Sequence, residues 1–164
     1  MWTAVVAEKE PFAVFHVLRR VLGEDIRCRR APWNGIPEPL PKSDVFIVAG
    51  EQVSPSRCRA AVVPGESEPT PLADYVVTYG LSQRDTLTIS SAVDRDVVLA
   101  LQRDLVDVRG RRTDRQEILL RRPAHLGLGQ TLACVGGFLV LGIEIEKIPG
   151  LLATGQQRPV LRIH

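Results

Sequence analysis

Apolar residues in this chain gather in short unbroken runs separated by turn formers. WTAVVA (2–7), DVFIVAG (44–50), RAAVVPG (59–65) and ADYVVTYG (73–80) are such runs, and the last three close on glycine. A run of this length without alternation fits a strand buried on both faces, as in a parallel sheet. DIRCR (25–29) supplies a further short strand. Between the first two strands the spacing turns helical. Pro11 suits a first helical position, with Glu10 before it as a weak cap. Val14, Leu18, Val21 and Leu22 share one face, and Gly23 ends the helix. Residues 31–43 carry four prolines and a glycine and read as an extended loop, as does GESEPTP (65–71).

After Leu81 the pattern alternates. TLTISSA (86–92) and DVVLALQRDLVDVRG (96–110) read as strands, with Val97, Leu99, Leu101, Val106 and Val108 marking the period. GRR (110–112) reads as a turn, and EILLRR (117–122) as the returning hairpin partner. An apolar helix is expected over 126–143, a short helix or turn around 144–153, and a last strand at PVLRIH (159–164). The glycines at 50, 65 and 80 are expected to let the chain turn with positive φ. The connectors between the middle strands leave little room for crossover helices. The whole predicts a single α/β domain over 1–164, with a Rossmann-like, mainly parallel sheet flanked by helices and an antiparallel hairpin section in the second half.

Composition narrows the class. The 164 residues are 45% apolar and 24% charged, with a net charge of +2. That is ordinary for a globular protein and carries no nucleic-acid signature. Cys28, Cys58 and Cys134 are too scattered for a disulfide framework, so reduced thiols and a cytoplasmic setting are expected. No basic region, apolar core and cleavage site open the chain as in a signal peptide. The uncharged stretch 126–143 is at the lower edge of a membrane span. Its five glycines, with Gln130 and Thr131, favour a buried helix over a membrane segment. Those glycines weaken the helix by about 1 kcal/mol each relative to alanine. Close packing on a sheet or a second helix is expected to compensate.

The strand–loop–helix at 3–23 is the arrangement that holds phosphate in many α/β proteins. A phosphate loop needs glycines, a lysine and a hydroxyl. Here the loop is Ala7-Glu8-Lys9-Glu10-Pro11. Pro11 lacks an N–H, Glu8 and Glu10 repel phosphate, and Lys9 stands between two acids. His16, His125 and His164 are not at metal-ligand spacing, and no metal or cofactor is expected. Ser90, His125 and Asp94 form a triad only on paper, without a nucleophile-elbow sequence. Arg109, Arg111, Arg112 and Arg115 surround the expected turn and offer an anion or acidic-partner patch, or a solvated face of interspersed pairs.

The order of elements resembles the central, ATP-binding domain of the Mur ligases, the amino-acid-adding enzymes of peptidoglycan synthesis. Residues 4–28 are similar to the family's opening strand, phosphate loop and helix. DVFIVAG and AAVVPG resemble later strands. DYVVTYGLS (74–82) resembles the strand ending in an aromatic-Gly pair. Residues 86–122 resemble the antiparallel section, and HLGLGQTLACVGGFLVLGI (125–143) the His-Asn stretch and the apolar helix ending in Leu-Gly-Ile. The resemblance implies an ATP site, yet Pro11 stands where the family's lysine belongs and Leu126 where its first asparagine belongs. Gln130 is near enough to replace the second. No counterpart of the family's metal-binding segment or of its flanking substrate domains is expected in these 164 residues.

The expectation is therefore a non-catalytic binding or regulatory module connected with cell-wall synthesis, meeting a protein partner or a second copy. The alternatives are a small-ligand or nucleotide-binding protein, with a crevice at Gly80, Ser82, His125 and Gln130, and a structural homo-oligomer. Neither a nucleic-acid nor a membrane partner is expected.

Overall fold

The computed structural model describes residues 1–9, 11–32, 43–50, 57–66 and 73–154. Glu10, most of the proline-rich stretch and the expected strand at 159–164 lie outside the described residues. The elements are β1 (Trp2–Glu8), α1 (Ala13–Val21), β2 (Ile26–Pro32), β3 (Val45–Ala49), β4 (Cys58–Pro64), β5 (Ala73–Gly80), β6 (Leu87–Val93) and β7 (Asp96–Leu101). Then come β8 (Leu105–Val106), β9 (Arg112–Thr113), β10 (Gln116–Arg121) and α2 (Leu128–Val140). A single 3-10 turn (Ile145–Lys147) and α3 (Ile148–Thr154) complete the described chain.

Among the described residues eight strands form one sheet, in the order β10-β7-β6-β5-β4-β3-β1-β2. The neighbours from β2 to β6 are parallel; β6–β7 and β7–β10 are antiparallel. This is the α/β sheet with an antiparallel section that the sequence predicts. The junction between the two sections is β5–β6. Only Tyr79 and Gly80 pair there, with Leu87 and Thr88, so β6 carries the sheet on past the end of β5. Exchanged bonds between the Thr78 and Thr86 backbone N–H groups and the opposite hydroxyls fasten the short turn between them. A full-length parallel pairing would need a longer connection.

The alternating stretch at 96–110 does not stay in one strand. β7 ends at Leu101, and Leu105–Val106 pair with Arg112–Thr113 in a separate two-stranded ribbon. The cause is local. The Asp107 carboxylate accepts the backbone N–H groups of Arg109 and Arg111 and closes a turn at 108–110. The expected turn at 110–112 is therefore shifted, and Arg112 is already in a strand. Residues 116–121 return to β7, as expected.

Both faces of the central strands are buried. Ala4, Val6, Val45, Ile47, Ala60 and Val62 face a cluster to which α1, α2 and α3 all contribute. Val5, Ala7, Phe46, Val48, Ala61 and Val63 form a second cluster on the other face. α2 is buried from Thr131 to Val140 and runs against β3, β4 and β5. Its glycines explain how. A Cβ on Gly136 would lie 2.8 Å from Val62 Cγ1, and one on Gly137 would lie 2.7 Å from Ile47 Cδ1. The helix axis therefore sits closer to the sheet than alanine would allow. Among the described residues no helix is long and apolar enough to cross a membrane.

Candidate functional site

The sheet order reverses at β1, which has β2 on one side and β3 on the other. In open α/β sheets, ligands bind outside the carboxyl ends of strands at such a reversal. Here that end of β1 is followed by the turn into α1, whose first backbone N–H groups form an anion site by themselves.

That site is filled from within the chain. The Glu8 carboxylate accepts the N–H of Phe15 at 2.6 Å through Oε1 and the N–H of Val14 at 3.2 Å through Oε2. Glu8 is 5% exposed. Burial raises its pKa above the ordinary carboxylate value, and the bonds from Phe15 and Val14 pull it part of the way back. Phe12, the cap residue, takes a left-handed backbone (φ 56°, ψ 45°) and is itself buried. Arg30 lies over its ring at 4.8 Å. The helix begins at Ala13, so Pro11 precedes the cap and is not its first residue. Lys9 accepts the Phe12 N–H through its carbonyl, which closes the turn.

Tyr79 fills the neighbouring space at the end of β3. Its hydroxyl donates to the Val48 carbonyl at 2.7 Å and faces the Gly50 N–H at 3.5 Å. Burial drives the phenol pKa well upward. Of the three strand-ending glycines, Gly50 does turn with positive φ (100°), whereas Gly65 and Gly80 do not. Those two make room for a buried acid instead. A Cβ on Gly80 would lie 2.6 Å from Asp85 Oδ2, and one on Gly65 would overlap Asp85 Oδ1. Asp85 Oδ2 accepts the Ser82 N–H at 3.0 Å, so Gly80 and Ser82 are gathered around Asp85.

The other two residues of the expected crevice, His125 and Gln130, lie at the start of α2. His125 is exposed in the turn before α2. Gln130 Oε1 accepts the Gly127 N–H at 2.8 Å, so its amide caps the start of α2. No hydrogen bond joins Gly80 or Ser82 to His125 or Gln130 among the described residues. The thiols of Cys28 and Cys58 are pushed up to about 11 by burial, and Cys134 is raised further. None is poised as a nucleophile at neutral pH. Among the described residues no three His, Cys, Asp or Glu side chains gather as metal ligands.

The arginine patch divides. Arg111 pairs with Asp107 at 3.2 Å and donates to the Gly142 carbonyl at 2.9 Å. Arg112 pairs with Asp104 and Asp114. Arg115 donates its backbone N–H to Asp104. Arg109 is different. It lines an open cleft of about 420 Å³ at the amino ends of the parallel strands, with Trp2, Arg59, Tyr75 and Asp107. The Arg59 guanidinium stands 5.6 Å from the Trp2 ring centre.

Sequence reasoning marked Glu8 as an obstacle to phosphate but missed its role as the cap of α1. The available signal was a carboxylate at the end of a buried strand, followed by a helix with no Ser, Thr, Asp or Asn at its start. Asp85 and the Trp2–Arg59 pair left no local signal.

The architecture is thus an α/β fold with a mainly parallel sheet, in which the carboxyl end of β1, at the reversal of strand order, is occupied by the chain's own Glu8. Among solved structures, the chain is similar to the crystal structure of MurF from Acinetobacter baumannii, with a TM-score of 0.58 and 10% identity. The match covers 94% of this chain and 45% of that one. At this identity the likeness establishes a shared fold. No protein-family model matches the chain, and no curated protein matches it by sequence.

Proposed function

We propose that this domain is a non-catalytic binding or regulatory module built on a Mur-ligase-like fold and connected with cell-wall synthesis. The observation that carries the reading is the Glu8 carboxylate on the Val14 and Phe15 N–H groups. A nucleotide phosphate at the same place would have to displace a buried carboxylate from bonds it already makes. It would also meet a turn without glycines, in which Pro11 offers no donor. The likeness to a MurF structure supports the scaffold, and the chain spans less than half of that protein. In this reading the work is recognition of a protein partner in the cytoplasm, without a cofactor.

A second reading is favoured by the cleft beside Arg109. Arg59 and Arg109, with Trp2 and Tyr75, outnumber the one lining acid, Asp107, which already pairs with Arg111, and this suits an acidic partner segment or a small anionic ligand. It lies at the opposite end of the strands from the Glu8 site. The crevice of Gly80, Ser82, His125 and Gln130 has less in its favour, because Gln130 is engaged in capping α2.

A thermal-shift titration with ATP, ADP and UDP-linked sugars, each with and without magnesium, tests the first reading. A ligand at 100 times its Kd adds about 2.7 kcal/mol, a clear rise in Tm at this size. The expected result is no rise at millimolar ligand. A saturable rise overturns the non-catalytic reading.

A further inference from the structure

We propose that β10 is a self-pairing edge, through which two copies of this chain join into one continuous sheet. The inference goes beyond the proposed function and stands independently of nucleotide binding.

Among the described residues β10 ends the sheet on one side. Its hydrogen-bonding parity follows from two observations. β10 pairs with β7 so that Gln116 faces Leu101 and Arg121 faces Asp96. Just beyond, the Arg122 N–H donates to the Arg95 carbonyl in the same register. In an antiparallel ladder the bonded positions alternate. The even-numbered residues of β10 therefore bond to β7, and the N–H and C=O groups of Glu117, Leu119 and Arg121 face the open edge. Among the described residues no backbone group pairs with them.

The side chains alternate in the same way. Ile118 and Leu120 are buried in the cluster that α3 joins through Ile148 and Leu152. Glu117, Leu119 and Arg121 lie on the opposite face. Leu119 is 68% exposed, in contact with water despite its size.

These three residues are complementary to themselves. In an antiparallel pairing about a two-fold axis at Leu119, Leu119 faces Leu119 of the second copy. Glu117 then faces Arg121, and Arg121 faces Glu117. All three positions are those whose backbone groups point outward, so this register satisfies the free donors and acceptors as well as the charges. It also covers the exposed leucine. β2, at the other end of the sheet, differs. Arg27, Arg29 and Arg30 are exposed there, and every antiparallel self-pairing centred between Cys28 and Arg30 sets arginine against arginine. Like charges of this kind protect an edge from pairing. The two edges thus have opposite character, and charge complementarity selects a second copy at β10.

Sedimentation velocity on the full chain across the micromolar range tests this. The wild type is expected to show a reversible dimer. Leu119→Lys, at a solvent-facing position, is expected to run as a monomer and to match the wild-type Tm at concentrations where the wild type is itself dissociated. Glu117→Arg is expected to weaken the dimer at least about tenfold, since it faces Arg121. The double variant Glu117→Arg/Arg121→Glu restores opposite charges in the same register and is expected to dimerise like the wild type. The charge reversal keeps the proposal falsifiable if Leu119→Lys disturbs folding. A wild type that stays monomeric overturns it. So does a dimer indifferent to these substitutions, or one that the double variant fails to restore.

Discussion

The Glu8 carboxylate accepts the backbone N–H of Phe15 at 2.6 Å, across the turn that joins β1 to α1. One residue thereby ends a strand, caps a helix and occupies the place where a bound anion would sit. α1 has no side-chain cap from Phe12, its own cap residue, and no acidic residue in its first turn. Glu8 compensates for both. Glu8→Ala is expected to lower stability by about 1–3 kcal/mol, combining loss of a cap with two unpaired buried N–H groups. Urea unfolding of the two proteins measures it. A change below a few tenths of a kcal/mol would show that water replaces the carboxylate at no cost.

The same residue sets a pH dependence. Burial raises the Glu8 pKa above its ordinary value of 4.5. The folded state then holds this proton more tightly than the unfolded state. Between 4.5 and the raised folded value, the Glu8 contribution to stability falls as pH rises, and above that value it is constant. Urea titrations of wild type and Glu8→Gln over mildly acidic to neutral pH isolate it. The wild-type curve minus the variant curve is expected to decline with rising pH. A difference that grows with pH would contradict the assignment.

Two glycines of α2 are expected to respond oppositely to alanine. Gly136→Ala places a methyl 2.8 Å from Val62 Cγ1, a stiff β-branched side chain within the core. A loss of about 1–3 kcal/mol is expected from overpacking. Gly129 has open space around its added Cβ. Gly129→Ala is expected to be neutral or to gain up to about 1 kcal/mol from helix propensity. Thermal unfolding of both variants checks the pair.

Gly65 and Gly80 are expected to be coupled to Asp85. Gly80→Ala alone is expected to cost about 1–3 kcal/mol, because the new methyl meets the Asp85 carboxylate. Combined with Asp85→Ala, its added cost is expected to fall, leaving an interaction energy of at least about 0.5 kcal/mol in a double-mutant cycle. Strict additivity would mean that the glycine serves only the backbone.

Much of the fold was legible because burial on both faces leaves unbroken apolar runs. VFIVA and CRAAVVP are strands β3 and β4 for that reason. The glycine content of 126–143 likewise announced a helix pressed against a sheet, and Gly136 and Gly137 meet Val62 and Ile47. What was hidden depends on residues far apart in sequence. Alternation from Val97 to Val108 carries no mark of the Asp107 turn that ends the long strand. Gly65 and Gly80 looked like turn glycines, yet an acid beyond β5 requires them. The expected crevice was assembled from residues near strand and helix ends, and sequence gave no means of knowing that Gln130 turns back on Gly127. The arginine patch was visible as composition. Its division into paired Arg111 and Arg112, with Arg109 on a cleft, required the structure.

A non-catalytic module of this kind requires the start of α1 to be closed to an external anion. Amide NMR of the folded protein reads this at the two N–H groups concerned. Magnesium and ATP are titrated to millimolar concentration while the Val14 and Phe15 resonances are followed, and acid is titrated separately. The predicted result is that both resonances ignore the nucleotide and move with pH as Glu8 takes up its proton. Saturable nucleotide-dependent shifts at Val14 and Phe15 would contradict it, and would return this turn to the nucleotide-binding sites it resembles.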